Sequence, residues 1–224
     1  MENLQLLKKD PRGAIFEILR NRRLRWLRFW STRWTYFTGK LKGVRMGKNI
    51  QFYGVPLIRR SPLTTITIGD NCIFRSTFAS NLVGINRGCL ICTWYDEAEV
   101  HIGNNVGMSG TVIGAAKKIV LEDNVMCGGN VFITDFDWHP VHPAKRHERA
   151  EAAETIIEEN AWIGMNTTIL KGVRIGANTV IAANSVVTRD IPPNVIAGGN
   201  PAKVLKHFDE VTLEELEAVQ NNIH

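Results

Sequence analysis

The sequence predicts an all-β solenoid with a basic helical arm in front of it and a short helix behind. Three observations predict this: an unbroken six-residue aliphatic period, turn residues at fixed places within it, and a sharp split of charge along the chain. Ile157, Ile163, Ile169, Ile175, Ile181 and Val187 fall six apart, and the fourth residue after each (Ala161, Thr167, Val173, Thr179, Ser185, Ile191) is small or β-branched. The same phase holds at Ile102 and Met108 and at Leu121, Cys127 and Ile133, and less cleanly at Ile68 and Phe74. Such a period matches neither a helix nor a half-buried strand, so every repeat needs a short strand and a turn. Gly69-Asp70-Asn71, Gly103-Asn104-Asn105, Glu122-Asp123-Asn124 and Gly176-Ala177-Asn178 supply the corners, because Gly and Asn tolerate positive φ.

The arm comes first, over residues 1–45. Residues 1–60 carry 15 Lys and Arg against 3 acids, and the remainder has a balance of −7, so the net +5 conceals a strongly basic segment. From Glu17 to Tyr36, Trp26, Trp30 and Trp34 stand four apart, with Ile15, Leu19, Leu27 and Phe37 close to the same helical face. Arg20, Arg22, Arg23, Arg25, Arg28 and Arg33 supply charge, so an amphipathic helix follows. Two roles compete for its stripe: contact with an anionic membrane surface, or a cap on the solenoid end or a sister subunit. Nothing else in the chain resembles a nucleic-acid module, and none is expected as a partner. The solenoid follows over residues 46–206. Residues 207–224 close the chain, where Thr212-Leu213-Glu214-Glu215 is a capping box opening a helix with Leu213, Leu216 and Val219 on one side.

With 44% apolar residues the chain can bury one sizeable core, and no stretch approaches the roughly 18 apolar residues of a membrane span. The first residues lack a basic n-region, and a cytoplasmic chain is expected. Cys72, Cys89, Cys92 and Cys127 are too few for a disulfide scaffold and read as reduced core residues; a lone Cys89-x-x-Cys92 is a poor zinc signal, and no metal is expected.

The repeats, together with Ala161-Trp162-Ile163-Gly164, Ser185-Val186-Val187-Thr188-Arg189-Asp190-Ile191-Pro192-Pro193 and Gly199-Asn200-Pro201-Ala202-Lys203, resemble the hexapeptide-repeat acyltransferases. Within that family it looks like the galactoside and maltose acetyltransferases and the polysaccharide O-acetyltransferases. The resemblance covers about residues 50–206. It implies a left-handed parallel β-helix, assembly as a homotrimer, and acetyl-CoA held in the groove between subunits as acyl donor to a sugar hydroxyl in surface-polysaccharide biosynthesis.

Between Ile133 and Ile157 the aliphatic hits lapse, and a loop over residues 134–156 is expected to leave the coil, carrying His139, His142 and His147. His139, in Asp135-Phe136-Asp137-Trp138-His139-Pro140, matches the family's general base. An imidazole can take the proton of a hydroxyl as it attacks a thioester. Asp137 or Asp135 is expected to orient the ring, and Asp135 and Ser109 are candidates for acceptor contact. The resemblance places Trp162 beside the acyl arm, Ala183 and Thr188 along the groove, and Arg189, Lys203 and Lys206 near the phosphates, where cations suit a diphosphate. Met165 and Ala182-Ala183-Asn184 depart from the family pattern. No activated nucleophile is evident, so transfer is expected to be direct, in a ternary complex.

Two other classes share this solenoid. A γ-class carbonic anhydrase would use His142 and His147, five apart, but its third histidine is missing at the required separation; His101 lies 41 residues before His142. A trimeric scaffold or membrane-docked binding module would turn over no thioester. If the arm binds membrane, a lipid-linked sugar or nascent polysaccharide becomes the favoured acceptor, and a soluble saccharide otherwise.

Overall fold

The structure is a computed structural model and describes residues 8–208. The helix expected over residues 207–224 lies outside the described residues except at its first two positions, which are not helical: His207 ends a strand and the Phe208 amide donates to the Asn194 carbonyl. The arm forms one 31-residue helix, α1 (Pro11–Leu41), which opens with Pro11 in its first turn and with the Asp10 carboxylate accepting from the Gly13 amide at 3.0 Å.

From Arg45 the chain winds through three parallel sheets, each coil giving one strand to each sheet. Sheet I holds Arg45–Met46, Thr65–Ile68, Glu99–Ile102, Lys118–Leu121, Thr155–Ile157 and Arg174–Ile175. Sheet II holds Gln51–Tyr53, Ile73–Arg75, Gly107–Ser109, Met126–Gly129, Trp162–Ile163, Val180–Ile181 and Val195–Gly199. Sheet III holds Leu57–Arg59, Leu90–Thr93, Val112–Ala115, Phe132–Thr134, Thr168–Ile169 and Val186–Val187. Sheet II closes with Ala202–His207, which pairs antiparallel to Val195–Gly199 and ends the parallel run.

The period becomes geometry through register. In sheet II, Phe52, Phe74, Met108, Cys127, Ile163, Ile181 and Ala197 stack directly over one another; in sheet III, Ile58, Ile91, Ile113, Ile133, Ile169 and Val187 do the same. All of these are buried and belong to one continuous apolar core. Ile68 and Phe74 are as deeply buried as the later repeats, and Met46, Phe52 and Ile58, six apart, form a first coil below them.

The corners carry asparagines in the left-handed region. Asn49, Asn71, Asn105, Asn124, Asn160, Asn178 and Asn194 all have φ between 57° and 61°. Their amides form a ladder between sheets I and II: Asn49 donates to Asn71, Asn71 to Asn105 and Asn105 to Asn124, then Asn160 to Asn178 and Asn178 to Asn194. Asn tolerates this conformation and its side chain bonds the same residue one coil away, so a single residue type meets both needs of the corner.

α1 lies against the first coil through its small and polar face. Ser31, Thr35 and Gly39 are buried. Thr32 Oγ1 accepts from the Phe52 amide at 3.1 Å, and Tyr36 Oη donates to the Gly47 carbonyl at 2.7 Å and accepts from the Ile50 amide at 3.3 Å. Gly39 permits the approach, since a Cβ there would stand 2.5 Å from Met46 Cε. The arm therefore covers the open end of the coil with the face opposite the tryptophans, and the stripe expected to make such a cap stays exposed.

Candidate active site

The loop over residues 134–156 leaves sheet III after Phe132–Thr134 and returns to sheet I at Thr155–Ile157. Its two arms are tied together: Phe136 and Ala152 form an antiparallel bridge, and Phe136, Ala150 and Ala116 make a small buried cluster with Tyr95 and Ala152 against it. Trp138 packs on Phe136 at 4.6 Å between ring centroids and on Trp94 at 5.2 Å. Trp138 has φ +58° and the His139 amide donates back to the Asp137 carbonyl, a tight turn centred on a bulky residue in a conformation such residues rarely adopt. Strain of this kind persists only where surroundings enforce it, and here the aromatic cluster does so.

That turn presents His139 to solvent. Its Nδ1 lies 3.3 Å from the Arg146 carbonyl on the opposite side of the loop. A carbonyl only accepts, so Nδ1 is the donor in this contact, and in the neutral ring the lone pair falls to Nε2.

Neither expected aspartate orients the ring. Asp135 is fully buried and accepts from the Ala116 and Lys117 amides at 2.6 and 2.8 Å; burial raises its carboxyl above the ordinary value, and those amides oppose the rise. It fastens the loop root to the coil beneath. Asp137 pairs with Lys171 at 2.5 Å, and Lys171 also reaches Glu151 at 3.6 Å. Lys171 thus joins the outgoing and returning arms, and its pKa is raised, chiefly by the hydrogen bond to Asp137. The sequence reading passed over Lys171; its signal was a cation directly before Gly172 in the repeat that begins at Ile169.

Ser109, the other candidate for acceptor contact, already has a partner. It is buried, and Asn81 Nδ2 donates to its Oγ at 2.8 Å. Asn81 belongs to a second excursion, residues 76–89, which the sequence reading missed. The Asn86 amide donates to Asn130 Oδ1 at 2.9 Å and Arg87 donates to the Asn130 carbonyl at 2.8 Å, which holds this loop over the corner between sheets II and III. The available signals were the lapse in phase between Phe74 and Ile91 and the run of Asn81, Gly84, Asn86 and Gly88. Of the other loop histidines, His142 Nδ1 accepts from the Ala144 amide and caps the short turn Pro143–Lys145, while His147 is exposed. Among the described residues no three His, Cys, Asp or Glu side chains gather as metal ligands would.

The remaining candidates fall into two separate groups. Thr188 and Arg189 follow Val186–Val187 and lie on the sheet III to sheet I edge, the edge from which the His139 loop springs. Ile169 pairs with Val187, so Arg189 stacks one coil beyond Lys171. Trp162, half exposed, stands on the outer face of sheet II between Met126 and Val180, with Ala183 at the corner after it and Lys203 and Lys206 on the antiparallel terminal strand. Among the described residues Arg189, Lys203 and Lys206 form no ion pair. Cavities of about 360 and 330 Å³ are lined by His101 with Glu122 and by Tyr36 with Met46, and neither includes any of these residues. The candidate residues of one chain thus lie partly on this edge and partly on the face of sheet II.

The match to known proteins falls on the coil. Residues 154–189 match the bacterial transferase hexapeptide, a model of six repeats. Over these residues the chain carries hexapeptide repeats. It is 37% identical over 146 residues to a galactoside O-acetyltransferase of Lactococcus lactis, covering 64% of this chain and 63% of that one. A putative acetyltransferase of Saccharomyces cerevisiae is 43% identical over 115 residues, 50% of this chain and 58% of its own. The hexapeptide-repeat chain therefore spans somewhat under two thirds of these relatives. In structure it resembles a variant of AntD, an N-acyltransferase of Bacillus cereus solved with dTDP and Coenzyme A. The TM-score is 0.63 at 17% identity, over 84% of this chain and 94% of that one, a likeness of fold.

Proposed function

We propose that this protein is an acetyl-CoA-dependent O-acetyltransferase whose acceptor is a sugar hydroxyl and whose general base is His139. The observation that carries the reading is the contact of His139 Nδ1 with the Arg146 carbonyl on an exposed, clamped loop, which in the neutral ring leaves Nε2 as the acceptor of a proton. The similarity to galactoside O-acetyltransferases supports the acyl donor and the acceptor class. In the reaction the hydroxyl oxygen attacks the thioester carbonyl as Nε2 takes its proton; the new C–O bond forms, the C–S bond breaks, and the imidazolium returns the proton to the departing thiolate. Base catalysis of this kind is typically worth about 10² to 10⁴ in rate, and alignment of the two substrates contributes further. No covalent enzyme intermediate is needed. Burial pushes the Cys127 thiol up to about 12, and the other three cysteines are raised as well, so none offers a thiolate at neutral pH.

The reading includes a left-handed coil and a homotrimer. The split of candidates between the sheet III to I edge and the face of sheet II supports the trimer, because a neighbour rotated about a threefold axis can bring its Trp162 face to the His139 edge. Trp162 beside Met126 gives an exposed apolar surface for the pantetheine arm, with Lys203 and Lys206 farther along the same sheet for phosphates. Four buried, unpaired cysteines accord with a reducing compartment and hence a cytoplasmic site of action. A role in surface-polysaccharide biosynthesis completes the reading.

The test is release of free thiol from acetyl-CoA against a panel of oligosaccharides. His139→Ala should lower turnover by about 10² or more while leaving the unfolding midpoint unchanged, since the ring is exposed. Turnover intact in that variant would remove His139 as the base, and no acceptor-dependent turnover in the native protein would leave a scaffold.

A further inference from the structure

We propose that the outward face of α1 docks on an anionic lipid bilayer, with the helix lying in the plane of the membrane surface. Ser31, Thr35 and Gly39 turn inward, so the opposite side carries Trp26, Trp30 and Trp34, which are 66%, 53% and 56% exposed. At 100° per residue Phe16, Phe37 and Leu41 join them in one stripe, all exposed. From Phe16 to Leu41 this stripe runs about 38 Å at the usual helical rise, interrupted by Arg23 at the same helical angle, with no covering element among the described residues. No described helix is long and apolar enough to cross a membrane, and α1 mixes aromatics with charge throughout, so it suits an interface and not a span.

Charge identifies the occupant. Within Pro11–Leu41 stand eight Lys and Arg residues and one acid, Glu17. Arg20 pairs with that acid and Arg28 is committed to Gln51, while Arg12, Arg22, Arg23, Arg25, Arg33 and Lys40 are exposed and free of ion pairs among the described residues. Long basic side chains rising beside an aromatic stripe place cations at headgroup level while the rings enter the acyl boundary. A second copy meeting this face symmetrically would set these six unpaired cations against the same six, which disfavours self-association through it. Docking by this face is independent of the catalytic reading, since none of these residues lies in the proposed site.

Removing the arm would uncover the first coil, so the test uses point variants of the full chain. Native protein should co-sediment with vesicles of phosphatidylglycerol and phosphatidylcholine, much less with phosphatidylcholine alone, and binding should weaken as salt rises. The triple variant Trp26→Ser, Trp30→Ser, Trp34→Ser and the double variant Arg22→Glu, Arg25→Glu should each bind about tenfold or more weakly. Their unfolding midpoints and their thiol release from acetyl-CoA with a soluble acceptor should match the native protein. Native protein that stays in the supernatant with anionic vesicles, or variants that bind as well as native, overturns the proposal. A fall in oligomeric mass of the tryptophan variant without lipid overturns it in favour of a sister subunit.

Discussion

At the residue scale, chemistry here depends on how few hydrogen-bonding options each side chain has left. His139 faces a carbonyl, which dictates its tautomer, and Trp138 holds the turn that presents it. Lys171 acts at one remove, binding Asp137 on one arm of the loop and Glu151 on the other. Lys171→Met should therefore lower kcat by about tenfold with little change in KM for acetyl-CoA and little in unfolding midpoint, and Lys171→Arg should restore part of the loss. Steady-state kinetics on both variants would check this, and an equal loss in both would deny the positioning role. Asp135 makes the opposite case. Replacing it with Asn removes a buried charge but also one of two acceptors, leaving an amide N–H of Ala116 or Lys117 unsatisfied, and should cost about 1–3 kcal/mol in denaturant unfolding.

At the scale of elements, the repeat is a strand of two to four residues and a corner, and each depends on its neighbour in the next coil. Asn178 donates to Asn194, accepts from Asn160 and sits at φ +58°. Asn178→Ala should lose about 1–2 kcal/mol from left-handed strain and the broken ladder, whereas Asn178→Gly, free of that strain, should lose less. An equal loss for both would show that the ladder alone matters. Ile163→Ala, in the centre of the core, should cost about 2–5 kcal/mol through a cavity that stacked neighbours cannot close. The two excursions obey other rules. Each leaves the coil where the period lapses and is held by bonds to distant coils.

At the scale of the molecule, two consequences follow. Burial raises Cys72 to about 11 and Cys127 to about 12 from an ordinary value of 9.0. A folded-state pKa above the unfolded one gives stability that is complete below pH 9 and is lost as pH climbs through 11 to 12. Unfolding midpoints should therefore fall over that alkaline window, and the four thiols should resist a thiol reagent at pH 8 until the chain is denatured. The second consequence concerns assembly. If His139 of one protomer works with Trp162 of another, the inactive variants His139→Ala and Trp162→Ala should recover about a quarter of native activity when unfolded and refolded together in equal amounts. Mixtures that stay inactive would confine the site to one chain.

The sequence alone determined the coil, its corners, the core column and the position of the loop with its histidine. All of these follow from local periodicity and from residues whose backbone preferences are intrinsic, such as asparagine at a left-handed corner. Periodicity also located Trp162 on an outward position, one residue before inward Ile163. What α1 covers, and with which face, was decided only in three dimensions, because Ser31, Thr35 and Gly39 gain their value from Met46 and the first coil and not from their own pattern. Tertiary structure likewise turned Asp135 from a partner of His139 into an anchor for Ala116 and Lys117. It covered Ser109 with Asn81, and it brought Lys171 to Asp137, more than thirty residues upstream in the chain. Contacts between coils join residues dozens of positions apart, and a hydrogen-bonding side chain carries in its own sequence neighbourhood no mark of the partner that will exhaust it.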